Sequence, residues 1–227
     1  MALPRLTAIR WTPSWRIVAS RFPPVGIFDA IANPADLPAL FELEGLTNPR
    51  LRQEAGDIDL VPAERRIAGP GTTPIMAAFT HLNPEGSRFS DGSWGVYYAA
   101  KERATAIAET VHHREAFLAR TGEPPTQLEM RCYLADVRGR FHDVRRGWPE
   151  IHAADSYTAS QALARVLREA DSNGIVYDSV RRRGGQCVAV FRPDRVAPAT
   201  QGAPLFYRWN GHRISHVIVA GEIMDLT

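Results

Sequence analysis

The sequence predicts a mixed α+β fold built as a single domain over residues 1–227, and three observations lead there. Several short segments alternate apolar and polar residues with a period of two, the mark of half-buried strands. Two longer segments, over 102–120 and 158–171, place apolar residues at helical spacing instead. No strand-like run leads into a glycine-rich phosphate loop of the dinucleotide or P-loop kind, which disfavours a doubly wound sheet. With 227 residues, 44% of them hydrophobic, the chain can build one good core with an appended lobe. Charged residues make up 23%, close to the globular average, which argues against wholesale disorder.

Taken in order, Trp15-Arg16-Ile17-Val18-Ala19 is the first strand candidate. Its arginine stands between a tryptophan and an apolar pair, so it is either an edge residue or a buried group that holds a ligand. Residues 23–70 are broken by seven prolines, Pro23 and Pro24 first and then Pro34, Pro38, Pro49, Pro62 and Pro70. A short helix fits 36–44, where Leu37, Leu40, Phe41 and Leu43 give an apolar side and Asn33-Pro34 gives a cap followed by a first-turn proline. A second fits 48–54. The segment has too few apolar residues for a core of its own and reads as a peripheral, helical and proline-rich insertion within the domain. Ile75-Met76-Ala77-Ala78-Phe79 is a helical turn or a strand, and Asn83-Pro84-Glu85-Gly86 is a turn.

Next come an arginine loop, Arg88-Phe89-Ser90-Asp91-Gly92, and an aromatic strand in which Trp94, Val96 and Tyr98 share one side. Gly92 and Gly95 allow tight turning or close backbone approach. The helix over 102–120 has Ala104, Ala108, Val111 and Leu118 as its inner face, flanked by Ile107, and Thr121-Gly122 ends it. Glu109 lies at the edge of that stripe, as a half-exposed surface residue or a functional carboxylate. Residues 127–135 alternate as a strand, Arg138-Gly139 reads as a turn, and 141–148 as irregular. The helix over 158–171 opens on Thr158 with Gln161, a capping-box pattern. Its buried side is Ala162, Leu163, Val166, Leu167 and Ala170, and Asn173-Gly174 closes it. Strands follow over 175–179 and 186–191, separated by Arg181-Arg182-Arg183-Gly184-Gly185. A hairpin over 205–209 and 213–219 turns on Asn210-Gly211. Residues 222–227 carry no signal.

Composition narrows the function. Of 27 basic residues only Lys101 is a lysine, and the net charge is +2. That balance does not demand nucleic acid, and it suits an anionic small molecule or an acidic partner equally. Cys132 and Cys187 lie in apolar runs and read as buried, reduced thiols. Neither His112-His113 nor His212 with His216 has the company a metal site needs, so no metal is expected. The N-terminus lacks a signal-peptide pattern, and no stretch of roughly 20 apolar residues exists. These features place the protein in the cytoplasm, away from the membrane.

Arg16, Arg88, Tyr98, Glu109 and Ser179 form one chemically coherent set. Arginines hold a pyrophosphate bidentately, and a tyrosine stacks on a ring or donates its hydroxyl. A fixed carboxylate stabilises the oxocarbenium-like state of a breaking glycosidic bond. In nicotinamide–ribose cleavage the leaving group departs neutral, so no strong general acid is required. Each residue also has an ordinary reading: Arg88 as a turn cap, Tyr98 as core, Ser179 as a strand end, and the arginine run as a solvated loop.

At these residues the chain resembles the RES-domain family, the toxin half of a bacterial toxin–antitoxin system. Trp15-Arg16 matches its early aromatic-arginine element, and Arg88-Phe89-Ser90 leading to Val96-Tyr97-Tyr98-Ala99 matches its arginine loop. Glu109 stands in the matching alanine-rich helix, and Gly174 to Arg181 matches the serine strand. Asn is common in that family where this chain has Ser90, and 23–70 is poorly matched. The resemblance implies a fold like the diphtheria-toxin-type ADP-ribosyltransferases and an enzyme that consumes NAD+. Inorganic phosphate is the first acceptor (an NAD+ phosphorylase). A protein of nucleotide metabolism is the alternative (a mono-ADP-ribosyltransferase). It further implies an antitoxin partner with a helix-turn-helix region. In that scheme Arg16 and Arg88 hold the NAD+ phosphates, and Tyr98 lies against the nicotinamide–ribose portion. Glu109 is the catalytic carboxylate, and Ser179 binds near the reacting ribose or the acceptor. A non-enzymatic, arginine-rich nucleic-acid or protein-binding module is a third reading; direct nucleic-acid contact is not expected, because aromatic interleaving around 181–183 is thin.

Overall fold

A computed structural model describes residues 3–20, 56–220 and 222–225. The helices expected over 36–44 and 48–54 lie outside the described residues. Within 56–70, two short 3-10 turns, Ile58–Leu60 and Ala63–Arg65, stand where the proline-rich segment rejoins the domain.

Among the described residues, nine strands form one sheet: β1 (Leu6–Ala19), β2 (Tyr97–Ala100), β3 (Thr126–Asp143), β4 (Gly174–Asp178), β5 (Gln186–Val190), β6 (Thr200–Gln201), β7 (Leu205–Trp209), β8 (Ile214–Val219) and β9 (Glu222–Asp225). Pairing runs β1–β2–β5–β4–β3 and returns from β3 to β1, while β7, β8 and β9 continue outward from β3. Three helices among the described residues pack on the sheet: α1 (Thr73–Thr80), α2 (Arg103–Thr121) and α3 (Thr158–Glu169).

The two faces of the sheet carry separate cores. Ile9, Trp11, Tyr97, Val137, Phe141, Val176, Val188 and Val190 pack with Ile75, Met76 and Phe79 of α1. Met130, Cys132, Ile175, Tyr177, Cys187 and Ala189 pack with residues of α2 and α3. Strict alternation along β4 and β5 sorts neighbours onto opposite faces. Both cysteines are buried and unpaired, as expected.

Several expectations change. The run at 75–79 resolves as helix α1, with Pro74 in its first turn where a missing N–H costs nothing. β3 runs to Asp143, through the turn expected at Arg138-Gly139 and into the stretch read as irregular. Arg138 and Arg140 point outward from it, while Val137 and Phe141 are fully buried. The buried face of α2 is Thr105, Ala106, Ile107 and Leu118, rotated from the alanine stripe. That of α3 is Ser160, Leu163, Ala164 and Leu167, and Val166 is exposed. Thr158 and Gln161 do not form a capping box; Tyr157 occupies the cap position without a side-chain bond. The hairpin across Asn210-Gly211 stands as expected, and the tail adds strand β9.

One irregularity matters for the site. β1 pairs with β3 along its length, but the register shifts between Trp11 and Ser14. Before the bulge, odd residues (Ile9, Trp11) face inward and Leu6, Ala8 and Arg10 are exposed. One extra residue exchanges the faces, so Arg16 leaves the exposed parity and lies over the ring of Tyr97, 4.8 Å from its centroid.

Candidate active site

The arginine loop is built from local bonds. Asn83 Nδ2 donates to the Gly86 carbonyl at 2.8 Å, and Ser87 and Ser90 bridge as a pair. Ser90 Oγ donates to the Trp94 carbonyl at 2.6 Å and accepts the Gly92 N–H at 3.1 Å. The serine at the position where asparagine is common therefore closes the loop itself. Gly92 has φ +97°, and a Cβ on Gly95 would stand 2.3 Å from the Phe79 Cα, so both glycines are required. From α3, Gln161 Nε2 donates to the Ser87 and Ser90 carbonyls at 2.9 and 3.1 Å, and Arg165 pairs with Asp91 at 2.6 Å. Ser93 and Arg165 hold the Asp91 carboxyl down at about 2.

This frame buries Arg88. Its Nη1 donates to the carbonyls of Ile151 at 2.8 Å and Ala153 at 3.0 Å, and its guanidinium stacks on Tyr157 at 4.9 Å. The bonds to Ile151 and Ala153 leave the remaining guanidinium donors for the cleft. Tyr98 is not simple core: its hydroxyl bonds Ser87 Oγ at 2.8 Å and accepts the Phe89 N–H at 2.9 Å. Burial pushes that phenol up to about 12. Its ring lines the cleft while its hydroxyl braces the arginine loop. Arg16 Nη1 donates to the Tyr98 carbonyl at 3.1 Å, and its Nε is buried with no protein acceptor.

On the opposite wall, Glu109 and Ser179 meet. Ser179 Oγ donates to Glu109 Oε1 at 2.5 Å and accepts the N–H groups of Arg181 and Arg182 at 3.1 and 3.0 Å. The serine is thus oriented by its own loop, and it holds one carboxylate oxygen fixed. The loop packs tightly on α2, where a Cβ on Gly185 would lie 2.6 Å from Thr105 Oγ1. Arg182 is spent on Glu102 and Thr105, so the arginine run is in part structural. His152 links the two walls, with Nε2 accepting the Asp178 N–H at 3.2 Å and Nδ1 against the Trp148 carbonyl at 2.9 Å.

The walls enclose a cleft of about 760 Å³ that Arg16, Arg88, Tyr98 and Glu109 all line, with Ser179 bonded directly behind Glu109. The sequence set therefore converges in space. The cleft also takes Arg114, Arg120 and Arg181, against the acidic Glu85 and Glu109, so cations are in excess. Tyr157 and Arg181 also line the cleft, and Gln161 and His152 brace the loops around it; none was expected there. Only Arg181 carried a signal, its place two residues after Ser179. No group of three metal-ligating side chains occurs among the described residues, and no helix among them is long and apolar enough to cross a membrane.

Comparison with known proteins agrees with the residues. The RES domain profile matches residues 63–210, which include Arg88, Tyr98, Glu109 and Ser179 but not Arg16. The chain belongs to the RES domain family. It is 35% identical over 202 residues to an uncharacterised protein, y4oC, of Sinorhizobium fredii, spanning 88% of this chain and 84% of that one. The crystal structure of the M. tuberculosis MbcT–MbcA toxin–antitoxin complex is a distant likeness, with a TM-score of 0.43 and 12% identity over 90% of this chain and 87% of that chain.

Proposed function

We propose that this protein is the toxin of a toxin–antitoxin pair and that it cleaves the nicotinamide–ribose bond of NAD+, passing ADP-ribose to inorganic phosphate. The observation that carries the reading is the Glu109–Ser179 pair at a cleft that Arg16 and Arg88 also line. The fold would then be used as diphtheria-toxin-type ADP-ribosyltransferases use theirs. Arg16, with an unpartnered Nε, and Arg88, with spare donors, suit the pyrophosphate. Glu109, with Oε1 fixed by Ser179, presents its other oxygen to the ribose. As the C1′–N bond breaks, its electron pair goes to the pyridinium nitrogen and nicotinamide leaves neutral. The carboxylate stabilises the cationic ribose at no reorganisation cost. A phosphate oxygen then bonds C1′, giving ADP-ribose 1-phosphate. Arg181 lines the same cleft and adds positive charge there, which supports phosphate as the acceptor. A protein acceptor of nucleotide metabolism is the alternative. A helix-turn-helix antitoxin would cover the same opening.

The test is incubation of purified protein with NAD+, with and without phosphate, followed by mass spectrometry. ADP-ribose carrying a new phosphate is expected. Nicotinamide release without that product would shift the acceptor to water or protein. Intact NAD+ in both conditions, from folded protein free of antitoxin, would overturn the enzyme reading in favour of a binding module.

A further inference from the structure

α2 does more than carry Glu109. Its residues Glu109, Thr110, His113, Arg114, Phe117 and Arg120 all face the cleft, at the spacing that keeps one stripe on a helix. The stripe ends in an anomaly. Phe117 is 41% exposed, one of the few large apolar side chains left in the open among the described residues. Arg114 and Arg120 flank it, three residues before and after, with guanidinium carbons 5.4 and 5.9 Å from the ring centroid. Arg120 is itself anchored to Glu85 across the mouth at 2.9 Å. Both guanidiniums lie over the ring at cation–π distance, and the ring stays partly open. They also make a surface that is aromatic and cationic at once, suited to an electron-rich, anion-bearing heterocycle.

The distance fits. Eight residues separate Glu109 from Phe117, which at 1.5 Å per residue is about 12 Å along the helix. A pyrophosphate with its two riboses spans a gap of that order. With the scissile ribose at Glu109, the far base of a dinucleotide reaches Phe117.

We propose that Phe117 is the stacking platform for the adenine ring, and that Arg114 and Arg120 flank the base and its adjoining phosphate. This rests on NAD+ being the substrate and names the residue that makes the enzyme prefer a dinucleotide to a mononucleotide. Phe117 is a specificity residue, distant from the reacting bond.

The experiment compares NAD+ with nicotinamide mononucleotide, which has the same scissile bond and no adenylate. Nicotinamide release is measured for wild type, Phe117→Ala and Phe117→Trp. Base stacking of ordinary strength predicts a roughly ten- to hundredfold loss of kcat/KM on NAD+ in Phe117→Ala, mostly in KM. Turnover of the mononucleotide should not change, and Phe117→Trp should restore NAD+. Equal losses on both substrates, or no loss on either, would overturn the platform. Binding of AMP to the same three proteins, read by calorimetry, separates this from the proposed reaction. AMP binding that depends on residue 117 supports the platform even if wild type cleaves nothing. AMP binding indifferent to residue 117 refutes it even if NAD+ is cleaved.

Discussion

α2 and α3 face the same core, yet they are packed differently. α3 buries Ser160, Leu163, Ala164 and Leu167 and reaches outward with Gln161 and Arg165 to hold the arginine loop. α2 buries its first turn and Leu118 and leaves the turns between them half-covered, with polar side chains. The gap along its middle is the cleft. One helix gives its stability to the fold and its surface to a support. The other gives up packing along its middle, where Glu109 lines the cleft. The lesson is that missing burial in the middle of a core helix marks a site as clearly as any motif.

The contrast can be tested at four strengths. Leu167→Ala should cost about 2–5 kcal/mol of stability, seen as a lower melting temperature, while activity per folded molecule stays unchanged. If the variant melts like wild type, α3 is not the packed partner described. Glu109→Ala should do the opposite, lowering nicotinamide release by roughly 10²–10³-fold at an unaltered melting temperature. Turnover of NAD+ at the wild-type rate by that variant would remove Glu109 from the reaction. Arg88→Ala should show both effects, because its bonds to Ile151 and Ala153 are buried. A stability loss of about 1.5–3 kcal/mol is expected with the loss of activity. An activity defect alone would mean the bonds to those carbonyls contribute nothing. The smallest effect concerns the tie between α3 and the loop. The Asp91 carboxyl is depressed to about 2 by Ser93 and Arg165. Its contribution is complete above the unfolded carboxylate range and fades as pH falls through about 2. In an acid titration, Asp91→Asn should lower neutral stability slightly and flatten that limb, so that variant and wild type converge as pH falls to about 2; identical curves at every pH would show the exposed pair to be idle.

How much of this was legible depends on the residue. Both long helices could be placed from periodicity, and their faces in part: Ile107, Leu118, Leu163 and Leu167 are buried as expected. Alanines at 104, 108 and 162 count as apolar and still end half-covered or exposed, while Thr105 and Ser160 are small enough to be buried. β3 was cut short because Arg138-Gly139 has turn chemistry. In the fold, Gly139 is part of a continuous strand whose flanking arginines face solvent. Glu109, Arg88 and Ser179 could be picked out because their motifs are local. Arg16 stayed ambiguous for a reason no pattern shows. Its face depends on a bulge several residues earlier, and a bulge is decided by the partner strand. Tyr157 and His152 lie in short turns whose meaning comes only from what α3 and β4 bring near them.

The long β1–β3 ladder has a consequence in time. Leu6 pairs with His142 and Ala19 with Met130, so the first strand must wait for more than a hundred residues before its partner exists. Closing such a loop is slow compared with forming a helix. Arg16 reaches its place only after β3 is made, and Ser179 comes later still. A ribosome would therefore release almost the whole chain before any of it could act. If the chain cleaves NAD+ as proposed, that activity would appear only once translation of the chain was nearly complete.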